Sequence, residues 1–580
     1  MKKFSTIFIV LLTLSLVAFA GNYKQVFPEK SPGQFDLAAY ALEMQTKVSW
    51  LMSEAMPLTE KSLISVTVSE KELLGIENYK CDGCGKAASQ RFKERVGMVK
   101  PVDFLVSGKG SRKTSDGGFV YTAAIESPGA VGLRVHFTDV NLPGNAALYV
   151  YNMDGEAFGP YTKNGEFWSN TVTGQIAYVQ LHHFGPASVS EKEAASFKIA
   201  GVGYLGQKFL VPFYQQKKVL EGIARTESLC SYNEPCVEDA SCYSGTAVAD
   251  AKKAAGHMLF ASGGWLYICS GGLIADTDSS TQRDMFLTAN HCISKGREAG
   301  SLEVYFQYWT ANCGGSCYDP IGTCPRTVGS SILDSSRDGD HTLLELSQSA
   351  PSGSVFLGWN NQPVANNDGT QLFRISYPSG APQAYSKHSV ETTLVECTSL
   401  PIGEFIYSED LIGATEGGSS GSPVMNMNGQ IVGQLYGACG YTLEVCDSEE
   451  NRTVDGALAF YFPQVEEFLD PEGGGGPGGS EMHVDSITLS KKQKGSKGDA
   501  IAKVVIVDEN GAPVEGADIS GTFSGDVSGS GSGTTGADGE ATIKLTYQGT
   551  PSSFTFCVDN VTHASLTYNA AANVETCDTL

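Results

Sequence analysis

The sequence predicts an all-β, multidomain chain, and three observations carry that prediction. At 580 residues the chain exceeds what a single hydrophobic core serves. Short apolar runs alternate with polar residues at strand period along most of its length. Glycine, asparagine and aspartate turn signals separate those runs. Between residues 116 and 205, "GGFVYTAAIES", "GLRVHFTDV", "AALYVYNMDG" and "GQIAYVQL" read as strands of a β-sandwich. From about 226 to 469 the pattern continues in "YICSGGLIAD", "MFLTANHCI", "LEVYFQYW", "HTLLELS" and "IVGQLYG". Residues 482 to 580 hold "IAKVVIVDENGAPVEGADISGTF" and "GEATIKLTYQG", with Asn510-Gly511 as a hairpin turn signal. Only residues 21 to 115 are mixed, with an early helical pattern, and no internal period suggests a solenoid or propeller.

The ends and the composition narrow the class. "MKKFSTIFIVLLTLSLVAFAG" has two lysines, an apolar run and Ala18 and Ala20 in A-x-A spacing, the pattern of a secretory signal peptide cleaved after Ala20. No later segment reaches the roughly 20 apolar residues of a membrane span, so an exported protein with no membrane span is expected. Fifteen cysteines in such a chain imply disulfides, and eleven of them fall between Cys230 and Cys446. The "CDGC" pair at Cys81 and Cys84 reads as a local disulfide, since zinc needs a second ligand pair. No metal is expected. A net charge of −24 argues against nucleic acid as partner. "DPEGGGGPGGSE" at 470 to 481 is a flexible tether.

Three stretches in the cysteine-rich region carry chemistry together. "FLTANHC" gives His291, "DGDHTLLELS" gives Asp340, and "TEGGSSGSPVMN" gives Ser420. A serine hydroxyl is a poor nucleophile at neutral pH. An imidazole must take its proton, and a carboxylate must fix the imidazole's tautomer and stabilise the imidazolium. Gly417 and Gly418 permit backbone angles that a Cβ resists, so the N–H groups of Gly418 and Ser420 can converge as an oxyanion hole. Ser420 is preferred to Ser419 and Ser422 because glycine stands two before and one after it. Asp340 competes with Asp334 and Asp338 in "LDSSRDGD", a stretch that superficially resembles a calcium loop but has no closing glutamate at the required spacing.

"TANHC" and "GSSGSP" resemble the histidine and serine motifs of chymotrypsin-fold serine endopeptidases. The order "FLTANHC", "DHTLLEL", "VFLGWN", "ISYPSGAPQAYS", "EGGSSGSPV", "VGQLYG" is similar, more closely, to the bacterial lysyl endopeptidase family over roughly 230 to 465. The resemblance implies a double β-barrel protease with His291, Asp340 and Ser420 at the barrel junction. It reaches upstream through the β-sandwich region, and residues 482 to 580 resemble bacterial immunoglobulin-like domains. The implied organisation is a signal peptide to 20, a pro-region over 21 to 225, a trypsin-like domain over 226 to 469, the tether and an immunoglobulin-like module. By the same resemblance Cys269 pairs with Cys292, Cys236 with Cys313, and Cys230 with Cys439 or Cys446. Cys557 and Cys577 are expected to pair within the last module.

Ser419 stands where animal trypsins carry the aspartate that receives a new N-terminus, so activation by that ion pair is excluded. The pro-region is instead expected to assist folding and block the cleft, with "QQKKVLEGIARTESLC" offering cleavage after Lys218 or Arg225. Substrate is expected at Ala414, Thr415, Leu435, Tyr436 and Gly437, with residues 435 to 437 pairing to its backbone as an added strand. Ala414, six before Ser420, excludes the trypsin-type pocket acid. The lysyl family places its acid at the position of Thr453, two residues before Asp455. With Asp455 in the pocket, cleavage follows lysine or arginine; without it, the pocket prefers small or apolar residues. Tyr436 replaces a family histidine. A monomer acting on protein or peptide substrates without a cofactor is expected. The competing readings are a non-catalytic protease-fold binding protein and a surface adhesin built from the β modules.

Overall fold

The structure is a computed structural model, and it describes residues 23–77, 89–90, 93–209, 234–278, 282–314, 324–393, 397, 400–440, 445–449, 451–471, 481–508, 511, 513–514, 516–536, 539–563 and 566–580. The signal peptide, Cys81, Cys84, Lys218, Arg225, Cys230 and Asn510 lie outside the described residues. The chain divides into two compact units, 1–274 with 284–460, and 275–283 with 461–580. Among the described residues no helix is long and apolar enough to cross a membrane.

In the first unit the early helical pattern becomes α1, Leu37–Glu54, whose N-terminus is capped by the Asp36 carboxylate accepting from the Ala39 N–H at 3.0 Å. Strands β1 (Glu94–Ser107), β2 (Phe119–Glu126), β3 (Gly132–Asn141), β4 (Ala146–Tyr151), β5 (Ile176–His183) and β6 (Ser196–Leu205) follow. They lie in two sheets, one containing β2-β5-β4 and the other β3-β6-β1. Phe119, Ile125, Leu148 and Val179 from the first pack with Leu133, Val135, Phe137 and Ile199 from the second in one core. A three-residue strand, Leu63–Ser65, pairs parallel to β2, so the sandwich begins upstream of the strands that first suggest it.

Two barrels come next. Strands β7 (Ala255–Ser262), β8 (Trp265–Leu273), β9 (Met285–Ala289), β10 (Glu303–Phe306), β11 (Ser330–Ser336) and β12 (His341–Leu346) pair in the order β11-β12-β9-β8-β7-β10. Strands β13 (Gln371–Ser376), β14 (Ala384–Val390), β15 (Phe405–Ile412), β16 (Pro423–Asn426), β17 (Ile431–Gly440) and β18 (Asn451–Ala457) pair as β14-β13-β16-β17-β18-β15. A further pairing of β15 with β14 closes this second barrel. Every pairing within both barrels is antiparallel. Two six-stranded antiparallel barrels are the chymotrypsin fold.

The sandwich and the first barrel share a sheet. β1 pairs antiparallel with β8 through Glu94↔Ile268, Tyr267↔Arg95, Leu266↔Gly97 and Trp265↔Met98. A two-residue strand, Ser89–Gln90, pairs with β17 at Cys439 and Ala438. Behind this seam Glu303 on β10 is fully buried and accepts from the Thr171 hydroxyl at 2.6 Å, the Thr171 N–H at 3.1 Å and Asn170 Nδ2 at 3.0 Å. Arg134 Nε lies 3.4 Å and Arg326 Nη1 3.8 Å from the same carboxylate.

The second unit is a sandwich of its own. One four-stranded sheet contains β19 (Glu481–Lys494), β20 (Lys497–Asp508) and β23 (Glu540–Gln548); the other contains β21 (Asp518–Gly525), β22 (Gly529–Thr534) and β24 (Phe554–Thr562). Alternation does the work here: Ala500, Ala502, Val504 and Ile506 on β20 are all buried and meet Ile519, Phe523 and Phe556 of the facing sheet.

The disulfide framework keeps two expected bridges and redraws the rest. Cys269–Cys292 and Cys557–Cys577 are both joined. Cys236 bonds Cys446, and Cys313 bonds Cys242 instead. The reason is local. Glu238–Asp239 pairs with β14 of the second barrel, which leaves Cys236 on that side. The Ser241 hydroxyl donates to the Thr310 carbonyl at 2.9 Å, which sets Cys242 beside the 310–313 turn. Cys439 bonds Cys397, so neither it nor Cys446 is open to Cys230.

Candidate active site

His291 follows β9 in a tight turn, with the Asn290 N–H donating to the Asp340 carbonyl at 2.9 Å and the Cys292 N–H to the Ala289 carbonyl at 3.1 Å. The neighbouring bridge to Cys269 ties this turn to β8. Asp340 ends a short 3-10 turn just before β12, with φ +50°, a left-handed conformation that aspartate tolerates better than most residues. From there its carboxylate takes the His291 N–H on Oδ1 at 3.0 Å and stands 2.6 Å from Nδ1 through Oδ2. The carboxylate side chain is 2 % exposed and the imidazole 7 %. Gln434 on β17 donates to the carbonyls of Gly339 and Asp340 at 2.8 and 3.1 Å, fixing the 3-10 turn from the second barrel. His291 Nε2 is buried and carries no hydrogen bond among the described residues.

Ser420 lies in the turn that leads into β16. Gly418 at φ +92° and Gly421 at φ +84° make the left-handed steps; Gly417 is not among the glycines at positive φ. The turn is stitched to both barrels. The Ser270 N–H donates to the Ser420 carbonyl and the Ser270 hydroxyl to the Gly418 carbonyl, each at 2.8 Å. Gly421 donates to the Leu435 carbonyl at 2.8 Å, and Leu435 donates back to Ser422 at 2.9 Å. The Ser379 N–H holds the Gly417 carbonyl at 2.6 Å. Because a trans peptide points C=O and N–H to opposite sides, that bond turns the Gly418 N–H away from Ser379. Among the described residues neither the Gly418 nor the Ser420 N–H has a protein acceptor. Ser419 is fully buried, its hydroxyl 3.1 Å from that of Ser376. Ser420 Oγ makes no hydrogen bond to Nε2, as is common in catalytic pairs without substrate.

The expected substrate residues fall on β17 and in the segment that precedes this turn. Ala414 is buried against Val237 and Ala384, and Thr415 is half-buried. Leu435 is the residue bonded to the Ser420 turn, Gly437 pairs with Val454, and Tyr436 bulges between them with its ring 6.0 Å from that of His291.

Asp455 is the correction. It is fully buried and faces Arg374 on β13, also fully buried, with Nη2 donating to Oδ2 at 2.9 Å and Nη1 2.8 Å from Oδ1. A carboxylate already paired with a buried guanidinium offers no charge to a substrate. The sequence reading missed the partner because Arg374, in "LFRIS", sits at an inward position of an otherwise apolar strand. The same face holds His388 on β14, 3.0 Å from Arg374 Nε, and Asp410 on β15, 2.7 Å from His388 Nδ1. Burial raises the Asp410 carboxyl, but His388, Thr453 and the more distant Arg374 outweigh it and hold the group below the usual range.

Residues 231–455 match the family model described as lysyl endopeptidase, C-terminal domain. A curated lysyl endopeptidase of Pseudomonas aeruginosa is 27 % identical over 351 residues, covering 57 % of this chain and 71 % of that protein. Among solved structures, the active form of the Rv3671c protease from M. tuberculosis is 15 % identical at TM-score 0.26, over 40 % of this chain and 91 % of that one. The MamO protease domain of Magnetospirillum magneticum is 14 % identical at TM-score 0.25, over 37 % and 97 %. At such scores the fold rests on the strand order of the two barrels, and the family match rests on sequence. Together they make residues 231–455 a lysyl endopeptidase-like domain of chymotrypsin fold, and the chain a serine endopeptidase.

Proposed function

We propose that Ser420, His291 and Asp340 form the catalytic triad of an exported endopeptidase that cleaves after basic residues. Ser420 Oγ attacks the peptide carbonyl while His291 Nε2 takes its proton. The oxyanion accepts from the Gly418 and Ser420 N–H groups, and His291 then protonates the leaving amine. Water repeats the sequence on the acyl-enzyme. Asp340 keeps the proton of His291 on Nδ1, so that Nε2 begins as a base. The observation that carries this reading is a buried His–Asp pair at 2.6 Å whose second nitrogen has no protein partner, in a site with two unengaged N–H groups beside the serine. The test is a peptide-library profile of purified enzyme beside its Ser420→Ala variant. Loss of all turnover in the variant is expected, and equal turnover removes Ser420 from the mechanism.

In this reading residues 1–20 are the export signal, 21–225 the pro-region, 226–469 the protease, and 482–580 an appended β module. The pro-region is an intramolecular inhibitor and folding template. Its strand pairs support that role: Ser89–Gln90 pairs with β17 and Glu94 with β8, the two strands whose Leu435 and Ser270 bond the Ser420 turn. Mature protein beginning near Thr226, by N-terminal sequencing, is the expected result; a start at Gly21 contradicts it.

A further inference from the structure

Asp455 is neutralised, so a basic substrate side chain needs another acid, and the buried cluster of the second barrel contains one. Thr453 and Asp455 are two apart on β18 and share a face. β18 pairs with β17 through Asp455↔Leu435 and Thr453↔Ala438, directly beside the strand stitched to the Ser420 turn. On the other side β18 pairs with β15 through Ser408↔Thr453, and β15 runs on into the segment 413–420 that ends at Ser420. The Thr453 hydroxyl donates to Asp410 Oδ1 at 2.7 Å. Thr453, on the strand beside the one stitched to the Ser420 turn, therefore touches an acid.

The charges of the cluster can be counted from its donors. Arg374 and Asp455 cancel. Arg374 Nε–H can only donate, so His388 Nε2, 3.0 Å away, is an acceptor and bears no proton. The proton is on Nδ1 and is donated to Asp410 Oδ1 at 2.7 Å. His388 is thereby a neutral donor in this network, and both donors to Asp410, imidazole and hydroxyl, land on the same oxygen. Oδ2 has no protein donor among the described residues. The Asp410 side chain is 16 % exposed, whereas that of Asp455 is not exposed at all. The cluster is left with one unmatched negative charge, oriented by two neutral donors and open on one oxygen. Such a charge, partly withdrawn from water, interacts more strongly with an incoming cation than a surface carboxylate does.

We propose that Asp410 is the specificity-determining acid of the primary pocket, reading the ammonium or guanidinium of a substrate's basic side chain in place of Thr453 and Asp455. This rests on the proteolytic reading of Ser420. The test compares Asp410→Asn with the parent on matched peptides bearing lysine, arginine, leucine or alanine before the scissile bond. Asparagine keeps an oxygen for His388 and Thr453 and removes only the charge. Losing one partner of a poorly solvated charge pair lowers kcat/KM for lysine and arginine peptides by about 30- to 3,000-fold. Values for leucine and alanine peptides are expected to stay within about threefold. Adding Thr453→Asp to Asp410→Asn returns a carboxylate to the neighbouring position of the cluster and restores cleavage after basic residues. Labelling of Ser420 by a fluorophosphonate separates the two layers. A parent that labels but prefers uncharged residues overturns the assignment of Asp410 alone. An Asp410→Asn enzyme that retains basic cleavage, or loses all four peptides equally with no rescue, overturns it as well. A parent that neither labels nor cleaves overturns the serine mechanism, and this proposal with it.

Discussion

Replacing Glu303 by glutamine tests how the N-terminal sandwich is held on the first barrel. The carboxylate is fully buried, with three donors from Asn170 and Thr171 and two guanidinium groups within 4 Å. Arg134 also donates to the Ser301 carbonyl at 2.9 Å, and Arg326 to the Thr171 carbonyl at 3.0 Å, so the site spans sandwich and barrel. With Glu156, 3.4 Å from Arg326, the two arginines are balanced by two carboxylates. Glu303→Gln leaves one buried positive charge unmatched and turns an amide N–H₂ toward existing donors. Breaking a buried pair in this way costs about 3–5 kcal/mol. The readout is hydrogen exchange in the full chain carrying Ser420→Ala. Amides of β1 and β8, joined at Leu266↔Gly97, are expected to exchange about 10²- to 10³-fold faster, because opening is that much easier. Exchange unchanged within threefold would show that the cluster does not hold the sheet together.

Gly418→Ala places a Cβ 2.9 Å from the Tyr377 carbonyl at φ +92°, so the N–H proposed to hold the oxyanion must move. kcat is expected to fall by about 10²-fold or more with KM little changed, as when one oxyanion donor is removed; parent-like kcat would refute it. His257 lies fully buried among Phe209, Tyr305, Tyr308 and Tyr377, with neither ring nitrogen hydrogen-bonded among the described residues, and burial pushes its pKa down to about 3. The unfolded chain takes up this proton below about 6.5 while the folded chain does not, so its contribution is full above that pH and is lost as pH falls toward about 3. Between pH 7 and 4.5 the parent is expected to lose about 2–3 kcal/mol that a His257→Phe variant keeps; identical pH slopes in chemical denaturation would contradict this.

The parts legible in the sequence were those whose chemistry is local. "TANHC" and "GGSSGSP" each hold their residue and the turn that presents it, and the strands of β20 announce their buried face by simple alternation. Asp340 was distinguishable from Asp334 and Asp338 by its place before "HTLLEL", and it is Asp340 that reaches His291. What depended on distant partners was not legible. Cys236 and Cys242 are six residues apart, and only the pairing of Glu238–Asp239 with β14 decides which barrel each one meets. Asp455 looked like a free pocket acid because nothing adjacent in sequence reveals Arg374, 81 residues away. Asp410, in "YSEDLIG", carried no signal of its own. Its meaning appears only where β14, β15 and β18 meet.

The most direct measurement of the central claim is intact-mass and peptide-level mapping of processed enzyme treated with a fluorophosphonate. One adduct per chain, on the peptide containing Ser420 and absent from Ser420→Ala and His291→Ala proteins, is the predicted result. An adduct on another serine, or none on a folded and processed enzyme that still cleaves peptides, would contradict the assignment of nucleophile and base.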